Sequence, residues 1–210
     1  SGDARMRYQT KDNGTKEDSW NGRMRINVKG QVNESTYVNG KMAYDMDFKD
    51  DSKDKGVYMQ QLFVNHNFGK DVAVRLGRQP IAFGNQGGWL YNGLEGYDGA
   101  QASYNNGKLS LTTGFGQLNA SDLTDDTDDE GNVTSYGVTG TDMYFAKGAY
   151  DFGFAKLGAD YVKFQGEKNP DGDHYFAGQE LYGINLTIPV QKFNVFGEYW
   201  KNTTAADKYD

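Results

Sequence analysis

The stretch SWNGRMRINVKGQVN, residues 19–33, restricts the fold more than any other part of this chain. Taken every second residue it reads Trp20, Gly22, Met24, Ile26, Val28, Gly30, Val32; the residues between are Asn21, Arg23, Arg25, Asn27, Lys29, Gln31 and Asn33. A strict period of two marks a β-strand with one apolar and one polar face. A strand of a soluble sandwich is about five or six residues long, and its polar face is not usually so uniformly charged. This run is more than twice that length.

The same rhythm recurs along the chain. A first strand is expected at 3–11 and a third at 38–49, where Val38, Gly40, Met42, Tyr44, Met46 and Phe48 oppose Asn39, Lys41, Asp45, Asp47 and Lys49. Residues 56–68 form a fourth strand with poor alternation, followed by strands at 72–79, 99–104, 109–117, 143–151, 154–164, 180–188 and 193–201. No convincing helix is found. The connections run medium, short, medium, short, long, short, long, short, long, short. Tight turns at one end and long loops at the other describe an up-and-down meander of the kind that builds outer-membrane barrels. On that topology the N-terminus is periplasmic and the first strand runs outward.

Mean hydropathy does not oppose this reading. The mean hydropathy of −0.80 looks like that of a soluble protein, yet a barrel strand hides only alternate residues from water and its average hydropathy is low. No window approaches the eighteen or so apolar residues of a membrane helix. The net charge of −7 and the absence of a basic, aromatic-interleaved tract argue against a nucleic-acid partner. With 0 Cys there is no disulfide framework or thiolate metal site, and 28 Gly with 27 Tyr and Phe favour strands, tight turns and interfacial anchoring. The opening Ser1-Gly2-Asp3 carries no signal peptide, so an exported protein that begins in this way is a mature or trimmed chain.

A soluble sandwich or barrel is the rival fold, since its strands alternate too. A soluble barrel, however, puts apolar residues inside, and the polar set here includes Arg5, Arg7, Arg23, Arg25 and Lys29. The apolar set mixes Met, Val, Ile, Tyr and Gly, as a lipid-facing band with aromatic edges does. The water belongs in the middle, and the expected fold is an all-β, transmembrane, antiparallel up-and-down β-barrel.

The segment VRLGRQPIAFGNQGGWLYNGLEGYDGAQASY, residues 74–104, resembles the part of bacterial outer-membrane porins in which the third external loop folds into the barrel. A strand ending in GRQ is followed by a long Gly-rich loop with an acidic residue, then DGA and another strand. The opening GDARMRYQ and overall style are most similar to the S-layer-homology-anchored porins of diderm Firmicutes, although that anchor is absent. The resemblance implies a water-filled channel for passive diffusion of ions and small hydrophilic solutes, narrowed by the third loop. It also implies an outer-membrane location, lipid and lipopolysaccharide as surroundings, a homotrimer, and no cofactor. Eleven strands are counted, whereas single-chain bacterial barrels are even-numbered and wide porins have about sixteen. The chain also stops on a polar tail, KNTTAADKYD. The expectation is therefore an N-terminal portion of a longer barrel.

Charge facing the lumen sets which ions a porin passes. Arg5, Arg7, Arg23, Arg25 and Lys29 share the predicted inner face of two adjacent strands, and Arg75 lies inward on the fifth. They are expected to form a basic wall facing Glu95 and Asp98 of the third loop, which gives a transverse field. The alternative is that the arginines pair with Asp45 and Asp47 next door. Gly87 and Gly88 read as a hinge, and Trp89 as part of it or as a packing anchor. The acidic run DLTDDTDDEGN (122–132) lacks the bidentate Glu of an EF-hand and reads as a solvated loop tip. NPDGDHY (169–175) reads the same way, and no metal site is expected. A barrel hydrolase would need a base. His66 is expected near a periplasmic turn and His174 in an external loop, too far apart to act together. A non-conducting tether between outer membrane and cell wall is the remaining alternative.

Overall fold

Alternation dictates extended chain, and the extended segments pair with their sequence neighbours throughout. The computed structural model describes residues 1–12, 16–49, 56–84, 97–118, 126–127, 133–135, 142–165 and 178–203. They contain strands β1 (Gly2–Asp12), β2 (Lys16–Asn33), β3 (Thr36–Asp47), β4 (Gly56–Phe68), β5 (Val72–Gln79), β6 (Tyr97–Asn105) and β7 (Leu109–Leu118). Two short strands, β8 (Asp126–Thr127) and β9 (Val133–Ser135), precede β10 (Asp142–Asp151), β11 (Lys156–Gln165), β12 (Glu180–Val190) and β13 (Phe193–Asn202). Among the described residues there is no helix. Eleven strands form one sheet in the order β1-β2-β3-β4-β5-β6-β7-β10-β11-β12-β13, every neighbour antiparallel. The sequence order of the strands is thus their spatial order.

Two expectations are corrected at the connections. The acidic connection expected over 118–142 contains a hairpin of its own, β8 paired with β9. The turn expected at 189–192 is shorter, because β12 runs through Pro189 and Val190, leaving Gln191 and Lys192 to reverse the chain. Gln191 takes φ 55° to do so, a left-handed conformation uncommon outside glycine.

The poor alternation of β4 has a specific cause. Its pairing with β3 slips between Lys41 and Met42, with Gln60 as the extra residue of a β-bulge. A bulge changes the phase of a strand by one residue. Leu62 and Val64 therefore share a face with Val57 and Met59 across the bulge, while Tyr58, Phe63 and Asn65 share the other. Deleting Gln60 removes the slip and restores strict alternation. The deletion is expected to leave the protein able to refold into detergent, checked by the folded band on an unheated gel.

Register carries each face across the whole sheet. One face bears Met6, Met24, Ile26, Val28, Leu62, Val64, Leu76, Leu111, Phe115, Ile184, Leu186 and Val195, all exposed. Aromatic rings gather at the two ends of this band. Tyr8, Trp20 and Phe48 stack edge-on at the loop end, with centroids 6.2 and 6.3 Å apart. Around a short turn Phe152 meets Tyr150 edge-on and Phe154 at a tilt. An apolar band between aromatic girdles is the outer surface of a membrane barrel.

Candidate functional site

The opposite face is polar over β1–β5 and takes its character from the same alternation. Asp3, Arg5 and Arg7 of β1 lie in register with Arg25, Arg23 and Asn21 of β2. Lys41, Asp45 and Asp47 of β3 and Arg75 of β5 follow in phase. The six basic residues predicted to share a wall, Arg5, Arg7, Arg23, Arg25, Lys29 and Arg75, are thus on one face.

Their partners differ. Arg23 clasps Asp45 with two bonds, Nε to Oδ1 at 2.5 Å and Nη2 to Oδ2 at 2.8 Å. The Tyr58 hydroxyl donates to the same carboxylate at 2.7 Å. Arg25 pairs with Asp3, Nε to Oδ1 at 2.8 Å. Lys29 instead sits over the Tyr37 ring, 3.9 Å from its centroid, and Arg75 over Phe63, 4.4 Å away. Among the described residues Arg5 and Arg7 form no ion pair.

Over β10–β13 this face is different: Met143, Phe145, Val162, Phe164 and Leu181 point the same way as Lys147, Asp160 and Asn185 and are buried. The apolar patch exists because chain covers it. Residues 80–84, leaving β5, cross over the sheet, and Phe83 is fully buried against Phe145, whose ring also meets Tyr97 edge-on. Centroid separations are 5.7 and 5.6 Å. The glycines beneath make room, since a β-carbon on Gly114 would stand 2.6 Å from the Phe145 ring.

The crossing segment is fastened at its far end. The Gly84 amide donates to Asp160 Oδ2 at 2.9 Å, and Asn185 Nδ2 donates to the same oxygen at 3.0 Å. Lys147, opposite Asp160 in register, donates from Nζ to the Ala82 carbonyl. Gly84 also lies against Glu198 and Trp200 of β13.

That contact establishes the curvature of the sheet. Between β5 and β13 lie six inter-strand steps, roughly 29 Å on a flat sheet at about 4.8 Å each. Five residues of extended chain from Gln79 to Gly84 reach about 18 Å. The sheet must therefore curl toward the polar face, which is the inner one.

Asp98 is the one predicted acidic loop residue within the described chain, and it is displaced from its expected place. It lies on β6, in register with Arg78 of β5, and accepts from Arg78 Nε at 2.8 Å and Nη2 at 2.9 Å. Both sit in phase with Leu76 and Ala100, on the outer face. Strand β6 begins two residues earlier than the pattern suggested, which converts Asp98 from a loop residue facing the basic wall into an outward ion pair. Gly87, Gly88, Trp89 and Glu95 lie outside the described residues, as do Asp171, Asp173 and His174. His66 is on the outer face of β4, its Nδ1 2.8 Å from Thr36 Oγ1 and its ring 4.5 Å from that of Phe68.

Asp160, Asn185 and Lys147 were missed by sequence reasoning. A signal was present: in KLGADYVKF, Asp160 shares its phase with Val162 and Phe164. Apolar residues in both phases of a strand mean that both faces are covered, and a carboxylate among them needs a partner.

A curled antiparallel sheet with an apolar exterior, a charged interior and an inward-crossing segment after β5 defines a porin-like outer-membrane barrel fold. No protein-family model matches the chain. No curated protein matches it either. Among solved structures, Pseudomonas aeruginosa OccK2 (OpdF), solved in complex with glucuronate, is similar at TM-score 0.52 and 13% identity, over 96% of this chain and 63% of that one. Salmonella typhi OmpF, in complex with daunomycin, gives 0.43 and 11% over 96% and 76%. A mutant of Rh. blastica porin gives 0.40 and 17% over 97% and 83%. The chain spans 63% of the length of OccK2.

Proposed function

We propose that this chain belongs to an outer-membrane porin, a water-filled channel for passive diffusion of ions and small hydrophilic solutes, narrowed by its third external loop folding inward. The observation that carries this reading is the path of residues 80–84 across the concave face to Asp160, beside the charged wall of β1–β5, while the convex face stays apolar. Such a segment narrows whatever space the sheet encloses, and fixed charge along the rest of the wall selects among ions.

The eleven strands are proposed to be the N-terminal part of a longer barrel of about sixteen. Among the described residues β1 pairs only with β2 and β13 only with β12, and open edges are not tolerated in hydrocarbon. The porin reading brings with it a periplasmic N-terminus, a lipid and lipopolysaccharide environment, and a homotrimer.

The test is single-channel recording of the purified full-length protein in a planar bilayer. Discrete open steps whose size rises with salt concentration are expected. Silence from protein shown to be inserted and folded overturns the channel reading and leaves the structural tether.

A further inference from the structure

We infer that the charge selecting solutes is carried by Arg5, Arg7, Lys29 and Arg75, four of the six cations predicted to form the wall, and that the channel prefers small anions. Arg23 and Arg25 serve the wall as structural pairs. The inference rests on the porin reading above and names the solute class and its determinants.

The division follows from what each cation touches. A cation bonded to a carboxylate presents a dipole, whose field falls off faster than that of a lone charge, and salt shortens its reach further. Arg23 is in this state, held bidentate by Asp45, and Arg25 is paired with Asp3. Lys29 and Arg75 are held differently. Each lies over an aromatic ring, and the two rings, Tyr37 and Phe63, meet edge-on at 6.3 Å. This makes a row of cation, ring, ring, cation across β2, β3, β4 and β5. A ring fixes a cation in place through its quadrupole without neutralising it. Arg75 adds a second sign of an unmet need: its Nε is buried and has no hydrogen-bond acceptor among the described residues. Arg5 and Arg7 are exposed on the same face, with no carboxylate among the described residues paired to them.

The row lies toward the short-turn end, since Lys29 is four residues before the end of β2 and Arg75 three after the start of β5. Arg5 and Arg7 lie in the middle of β1, Arg5 level with Arg23 and Arg7 level with Asn21. An anion moving along this wall meets the Lys29 and Arg75 row toward the short-turn end and Arg5 and Arg7 beside the neutralised pairs.

The experiment compares two double variants of the full-length protein by reversal potential across a potassium chloride gradient. Lys29→Gln with Arg75→Gln is expected to lower the chloride-to-potassium permeability ratio by about threefold, because two charges leave the wall. Arg23→Gln with Asp45→Asn removes a pair of zero net charge and is expected to leave the ratio unchanged. Equal effects, or an effect of the second variant only, overturns the inference. If the folded protein never opens, the channel reading fails separately, and the cations are tested in detergent by titrating sulfate and following tyrosine emission. A response lost in the Lys29→Gln, Arg75→Gln variant and kept in the other supports the assignment; a response kept in both overturns it.

Discussion

Replacing Asp160 with alanine is expected to roughly double single-channel conductance and make it unsteady, because it frees the segment that crosses the inner face. The carboxylate receives the Gly84 amide and the Asn185 side chain on one oxygen. Hydrogen bonds to a charged group contribute about 1.5–3 kcal/mol each. A loss of about 3 kcal/mol shifts the docked-to-undocked ratio more than a hundredfold. Phe83 still packs against Phe145 in the buried cluster, so the segment is loosened more than expelled. Asp160→Asn retains an acceptor and is expected to fall between the two. The inter-strand ladder does not involve the Asp160 side chain, so the variant should still give a folded band on an unheated gel. Wild-type conductance and noise in folded Asp160→Ala would remove Asp160 from this role.

The second large effect is on folding itself. Gly99 of β6 and Gly116 of β7 are cross-strand partners on the inner face. A β-carbon on Gly116 would stand 2.4 Å from the Asp98 carbonyl oxygen, 2.7 Å from Gly99 Cα and 2.8 Å from the Tyr97 ring. Two of these neighbours are backbone and cannot swing away. Gly116→Val is expected to cost more than about 4 kcal/mol, the range reserved for such clashes, and to abolish the folded band after refolding. Gly30→Val is the matched control: nothing lies within 4 Å of its β-carbon position, and valine suits a strand better than glycine. It should refold like the parent, with an unchanged urea midpoint.

Most of the strands were legible from period two alone, since Trp20 to Val32 can satisfy that pattern in only one secondary structure. The inward cations were legible for the same reason: once Met24 and Ile26 face lipid, Arg23 and Arg25 cannot. Pairing was not legible, because which carboxylate meets Arg25 depends on register, and Asp3 lies one strand away in the direction opposite to Asp45. Asp98 was misplaced because the start of β6 is set by pairing with Arg78 and Gln79, which the local pattern of YDGA does not reveal. The phase slip at Gln60 blurred β4 because alternation assumes an unbroken ladder. Asp160 escaped notice because its importance comes from a segment 76 residues earlier in the chain.

That separation has a consequence for how the molecule is built. Every strand pairs with the nearest sheet strand before or after it in sequence, so the wall can grow one hairpin at a time from an existing edge. The bond from Gly84 to Asp160 and that from Lys147 to Ala82, spanning 76 and 65 residues, obey a different clock. The second needs β10 in place, and the first needs β11. A wall that grows from β1 toward β13 passes through a stage in which the crossing segment has nowhere to dock, whereas one that grows from β13 toward β1 presents the docking face before the segment arrives.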